Sequence, residues 1–168
     1  IHRQYVKSGA QLLRSNTFLA NKDTFLTLKR KRADFFEKID FKEFVQSGSR
    51  LAKEVAQEAA SEEYPVFPAA DIGPMLEDSD SEESEILQQY YEICDIFLEA
   101  GAEIFVLETF PDTQYVLKIA EYIRKSMPGA FIIGQFSLTP TGYSRTGFHY
   151  KTILQEAVNS GLLDGAGL

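Results

Sequence analysis

The sequence predicts an α/β fold on a parallel sheet, nearer to an incomplete (β/α)8 barrel than to a doubly wound sheet. Three observations carry this. Short apolar runs of strand length alternate with longer segments of helical period, the order expected of βα units with right-handed crossovers. Polar and small residues gather at the C-terminal ends of successive runs, where a barrel keeps its working face. No Gly-x-Gly-x-x-Gly follows any run, which removes the main support for a dinucleotide-binding sheet.

The elements follow in order. A short helix is expected before Gln11. The first strand-like run is Gln11 to Phe18, QLLRSNTF. A polar stretch containing Lys29 to Arg32, KRKR, has room for a short helix. Phe41 to Ala60 then sets Phe41, Phe44, Val45, Ala52, Val55 and Ala56 at mostly three- and four-residue spacings, an amphipathic helix with one buried stripe. Tyr64 to Ala70 is the second run, and Ile86 to Ala100 the helix after it. Glu103 to Phe110, EIFVLETF, precedes a helix over Thr113 to Met127. Ala130 to Leu138 precedes a helix over Tyr150 to Ser160, and Leu162 to Leu168 opens a fifth run. Gly101, Gly129 and Gly161 stand just past three helices, where a left-handed terminal residue is wanted. The runs are nearly continuously apolar, as expected of strands covered on both faces. About five strands fall short of a full barrel, which needs roughly 250 residues.

Composition narrows the function classes. The 168 residues carry 17 Lys and Arg against 25 Asp and Glu, a net charge of −8. Such an acidic chain lacks the basic face that nucleic-acid binding needs. No stretch is apolar enough to span a bilayer, so no membrane partner is expected. One cysteine, Cys94, gives no intrachain disulfide framework and suits a reducing cytoplasm. His2, His149 and Cys94 are the only soft ligands, so no metal site is expected from these residues. The run Glu77 to Glu85, EDSDSEESE, reads as a solvated acidic loop.

Glu108 is the foremost candidate for chemistry. A carboxylate at the mouth of a buried parallel strand is partly desolvated, and it can bind an ammonium group or move a proton. Its structural alternative is to cap the next helix or to pair with a neighbouring strand end. Asn16 and Thr17 could fix a polar substrate at their own strand end, although turn chemistry also uses both residue types. Asp71, Ile72, Gly73 and Pro74 read as a tight turn after a strand. Thr139 to Gly147 reads as a connecting loop, and Cys94 as a buried, inert thiol on a helix stripe. No Gly-x-Ser-x-Gly elbow occurs.

Five short motifs, in order, resemble the homocysteine S-methyltransferase family. They are Tyr5, Val6, Lys7, Ser8, Gly9 and Ala10; Ser15, Asn16, Thr17 and Phe18; Ile72, Gly73 and Pro74; Glu108 and Thr109; and Asp164 to Leu168, DGAGL. The resemblance covers nearly the whole chain. It implies a partial TIM barrel, with residues 1–168 forming a single segment that lacks the first strand and the C-terminal strands. It implies transfer of a methyl group to the thiol of homocysteine to give methionine, with zinc held by three cysteine thiolates. Cobalamin or methylfolate, betaine or S-methylmethionine would be the donor. Glu108 matches the residue that helps hold the amino-acid end of homocysteine, and Asn16 and Thr17 match a strand end lining the same pocket.

The sequence departs from the family in ways that bear on activity. The Asp-Gly-(Gly/Ala)-x-Gly-Thr motif is absent, as are the Asn-Cys and Cys-Cys zinc motifs, and Ser15 replaces a Thr. The segment by itself is therefore expected to be inactive. It is also expected to need the remainder of its polypeptide, or a second copy, at its open sheet edges. Two other readings stand beside this one: a non-catalytic α/β binding module, or another barrel enzyme using Glu108 as general base.

Overall fold

The computed structural model describes residues 1–36, 38–75 and 82–168. Residues 77–81 of the acidic run lie outside the described residues. The elements are α1 (His2–Lys7), β1 (Leu12–Arg14), α2 (Lys22–Lys31), α3 (Ala33–Phe36), α4 (Phe41–Ala59), β2 (Phe67–Ile72), α5 (Glu83–Glu99), β3 (Ile104–Phe110), α6 (Thr113–Ser126), β4 (Phe131–Phe136), α7 (Tyr150–Ser160) and β5 (Gly165–Gly167). The five strands form one parallel sheet in the order β1-β2-β3-β4-β5. Sequential order with every crossover on one side is the arrangement of a growing barrel wall, and it realises the expected fold class.

Helix boundaries follow local chemistry. Asn21 and Asp40 each accept a backbone N–H in the first turn of their helices, α2 and α4, at 2.8 Å. Glu82 to Glu85, the described end of the acidic run, form the N-terminal cap and first turn of α5, where negative charge meets the positive helix end. Gly101 and Gly161 adopt φ of 74° and 64°, as the expected left-handed ends. Gly129 does not join them. Here α6 ends at Ser126, and Met127, placed before Pro128, leaves the helical region at φ −140°.

The core lies on one face of the sheet. Ala70 and Ile72 of β2, Phe105 and Leu107 of β3, and Ile132 and Phe136 of β4 pack against α4 to α7. The crossover helices lie on one side, yet the second face is also buried at the strand centres, where Ala69, Asp71 and Val106 are 2–4 % exposed. The other face carries Leu12, Phe67 and Phe131, each 38–48 % exposed, and it alternates with the helix-covered set as strand geometry requires. The charged residues of the site lie at the C-terminal end of that bare face.

Candidate functional site

The site begins with strand parity. Register pairs Arg14 with Ala69, and Asp71 with Val106. In parallel strands paired residues point to the same face, and residues two apart share it. Arg14 on β1, Asp71 on β2 and Glu108 on β3 therefore all point to the face that the helices leave bare.

Neighbouring strands lie about 4.8 Å apart. A bond between β1 and β3 must therefore pass over β2. Arg14 and Glu108 make such a bond, an ion pair with side chains 48 % and 22 % exposed. Asp71 lies on the strand beneath it and is 4 % exposed. Its Oδ1 has no hydrogen-bond partner among the described residues. Burial first, and the adjacent Glu108 carboxylate second, push its carboxyl up to about 7, against the opposing pull of Arg14. The Asp71 and Glu108 carboxyl groups lie close enough that each acts on the other's proton.

The turn after β1 is fastened to β2 by two buried hydroxyls. The Asp71 N–H donates to Ser15 Oγ at 3.0 Å, and Thr17 Oγ1 donates to the Asp71 carbonyl at 2.7 Å. The two hydroxyls lie 2.7 Å apart. Asn16, between them, is exposed. Gly73 donates to the Phe18 carbonyl at 3.2 Å, and a Cβ on Gly73 would come within 2.5 Å of Phe18. Glycine there lets the β1 and β2 turns meet.

On β3 the pairing to β4 slips by one residue between Leu107 and Phe110. This bulge contains Glu108 and Thr109, and Thr109 has φ 65°, the left-handed region that a β-branched residue rarely adopts. Strain of this kind persists where surrounding structure holds it, and it gathers at functional sites.

The three residues singled out from sequence thus sit at one end of one sheet. Glu108 joins a charge cluster, Asn16 faces solvent, and the Thr17 hydroxyl is committed to the backbone of Asp71. The structural alternative for Glu108, pairing with a neighbouring strand end, is realised through Arg14. Two residues of the cluster were not read as functional. The signal for Arg14 is that it is the only charge in its run and shares parity with Leu12. The sequence predicts a turn at Asp71, whereas β2 continues through Ile72; the signal for Asp71 is a lone acid within an apolar run.

The Thr139–Gly147 loop is occupied with itself: Thr139 Oγ1 donates to the Tyr143 carbonyl at 2.8 Å, and Ser144 Oγ accepts from the Phe148 N–H at 3.2 Å. His149 Nδ1 accepts the Lys151 N–H at the start of α7, and His2 bonds the Arg14 carbonyl. Cys94 is fully buried, and burial raises its thiol pKa. Among the described residues no group of three His, Cys, Asp or Glu could hold a metal ion. The zinc site implied by the resemblance therefore does not fit these residues. No helix among them is long and apolar enough to cross a membrane.

Fold and site together define a parallel α/β protein with an acidic cluster at its strand tips. The family model for homocysteine S-methyltransferase matches residues 1–168, and the chain belongs to that family. Among solved structures, the metallated homocysteine methyltransferase MmuM from Escherichia coli superimposes with a TM-score of 0.76 at 18 % identity, covering 99 % of this chain and 60 % of that one. Its apo form gives 0.70 at 18 % identity, with 99 % and 59 % covered. The carboxyl transferase domain of Rhizobium etli pyruvate carboxylase gives 0.51 at 15 % identity over 73 % of this chain and 19 % of that one. These likenesses are likenesses of fold. The chain spans about three fifths of MmuM's length. No curated protein matches it in sequence.

Proposed function

We propose that these residues form the homocysteine-binding part of an enzyme that methylates the homocysteine thiol to give methionine. The carrying observation is the Arg14–Asp71–Glu108 cluster at the strand tips of a chain that belongs to this family. Glu108 is partly exposed and carries a carboxylate where the ammonium of an amino acid can replace or join the Arg14 guanidinium. The exposed Asn16 amide offers both a donor and an acceptor to the polar end of the same substrate. Thr17 acts by holding the turn that presents Asn16.

In this reading the residues bind and orient one amino acid. Its thiol is left free to attack the methyl group of a donor: a sulfur–carbon bond forms, the donor–methyl bond breaks, and the thiol proton is lost. Zinc would take its ligands from residues other than those described, and the donor, including cobalamin or methylfolate, is likewise bound elsewhere. A cytoplasmic setting belongs to the same reading, in which Cys94 serves packing.

Calorimetric titration of L-homocysteine into the full polypeptide and its Glu108→Gln variant tests this. Loss of a charge-assisted contact predicts about 10- to 100-fold weaker binding. Unchanged affinity with abolished turnover would instead favour Glu108 as a general base in a different reaction.

A further inference from the structure

The orphaned oxygen of Asp71 is the feature that homocysteine binding by Glu108 leaves unexplained. Asp71 is 4 % exposed and its Oδ1 has no partner among the described residues, although buried polar atoms are ordinarily paired. Among the described residues no helix packs on this face to supply a donor. The backbone of Asp71 is fixed at both ends by Ser15 and Thr17, so the side chain is held at the site by its strand.

Charge accounting shows what is missing. Among the described residues, Arg14 from β1 and Glu108 from β3 are the charged groups that act on Asp71. Burial of one carboxyl group beside another favours the form in which one of the two keeps its proton. With Asp71 protonated the cluster is neutral: one guanidinium, one carboxylate and one acid. An incoming ammonium would make it +1 in a partly buried place. Loss of the Asp71 proton restores neutrality and turns both Asp71 oxygens into acceptors.

We propose that Asp71 is a second acceptor for the substrate's ammonium group, and that the Asp71–Glu108 pair releases one proton to solvent when that ammonium binds. This rests on the homocysteine reading above and extends it to a residue and a proton. No covalent bond changes. The acid R–COOH becomes R–COO⁻, the proton goes to buffer, and the ammonium takes its place as the cation between the carboxylates. Binding by Asp71 and Glu108 then selects for ligands bearing a free amino group and strengthens as pH rises toward neutrality.

The test is calorimetry of L-homocysteine at about pH 6, in buffers of different ionisation enthalpy, with the native protein and Asp71→Asn. Any proton lost from the ligand's own thiol appears in both proteins, so the difference between them isolates Asp71. We expect the native protein to release roughly one more proton per ligand than Asp71→Asn. We also expect the variant to bind about tenfold more weakly. The thiol acid 4-mercaptobutyrate, which lacks the amino group, should produce no such difference.

Equal proton release by the two proteins, with homocysteine still bound, would overturn the proposal and leave the substrate reading intact. Failure of the native protein to bind L-homocysteine would overturn both. Should Asp71→Asn fail to fold, carbon-13 NMR of the Asp71 carboxyl in the native protein decides. Its resonance should move from the protonated to the ionised position on adding L-homocysteine at about pH 6, and an unmoved resonance in the bound state would count against the proposal.

Discussion

Arg14 and Glu108, on strands that are not neighbours, are joined by an ion pair that passes over the strand carrying Asp71. Asp71 is buried beneath it, as are its same-face neighbours Ala69 and Val106. The cluster therefore holds three ionisable groups rather than two. Burial and the Glu108 carboxylate favour the protonated form of Asp71, and the Arg14 guanidinium opposes it.

That proton has a consequence for stability. The folded chain holds it up to about pH 7, whereas the ordinary aspartate value is 3.8. Between those values the folded state binds more protons than the unfolded state, so stability falls as pH rises through the window and stays low above it. Asp71→Asn removes the dependence. Chemical denaturation should find the variant more stable than native by about 1–3 kcal/mol near pH 8, with the difference shrinking toward pH 4. A difference independent of pH would show that the Asp71 carboxyl is not perturbed.

The β1 turn should prove a fastening. Thr17→Val keeps the shape of the side chain and deletes its bonds to Asp71 and Ser15. The loss is expected to cost about 1–3 kcal/mol, read from denaturant midpoints. Homocysteine affinity should fall with it, since Asn16 is carried on the same turn. Thr17→Ser should restore most of both.

Gly73 tests the contact between the two turns. Gly73→Ala would drive a methyl into Phe18, and about 1–3 kcal/mol of destabilisation is expected from such overpacking. Shortening Phe18 to Leu in the same chain should recover part of the loss if the clash is its cause.

A second polar staple joins α6 to the segment before β5. Arg124 reaches from α6 to the carbonyls of Pro128 and Leu162 and to the Asp164 carboxylate at 2.5 Å. The Ile132 N–H foremost, and then Arg124, hold the Asp164 carboxyl below its usual value against partial burial. This contribution is present above the ordinary aspartate range and is lost as pH falls through the lowered value. Asp164→Asn should therefore be less stable than native near neutrality, and the gap should close in strong acid. Thermal melts across pH would reveal it.

Legibility in the sequence followed the range of the interactions. Helical periodicity is local, and α4, α6 and α7 begin where their apolar stripes begin. Parallel strand order was legible because crossovers leave few choices. Which face each strand buries was not, because a barrel wall and a doubly wound sheet share nearly the same apolar runs. Glu108 stood out as an acid ending such a run. Arg14 and Asp71 did not, since their meaning depends on register across three strands separated by dozens of residues.

The most direct test is a crystal structure of the full polypeptide with L-homocysteine bound. The account predicts the ligand's ammonium nitrogen within about 3 Å of carboxylate oxygens of both Glu108 and Asp71. Its amino-acid end should lie at the β1, β2 and β3 tips beside Asn16. Density for the ligand elsewhere, for example in the groove between α4 and the start of β2, with Arg14 still bridging to Glu108, would contradict it.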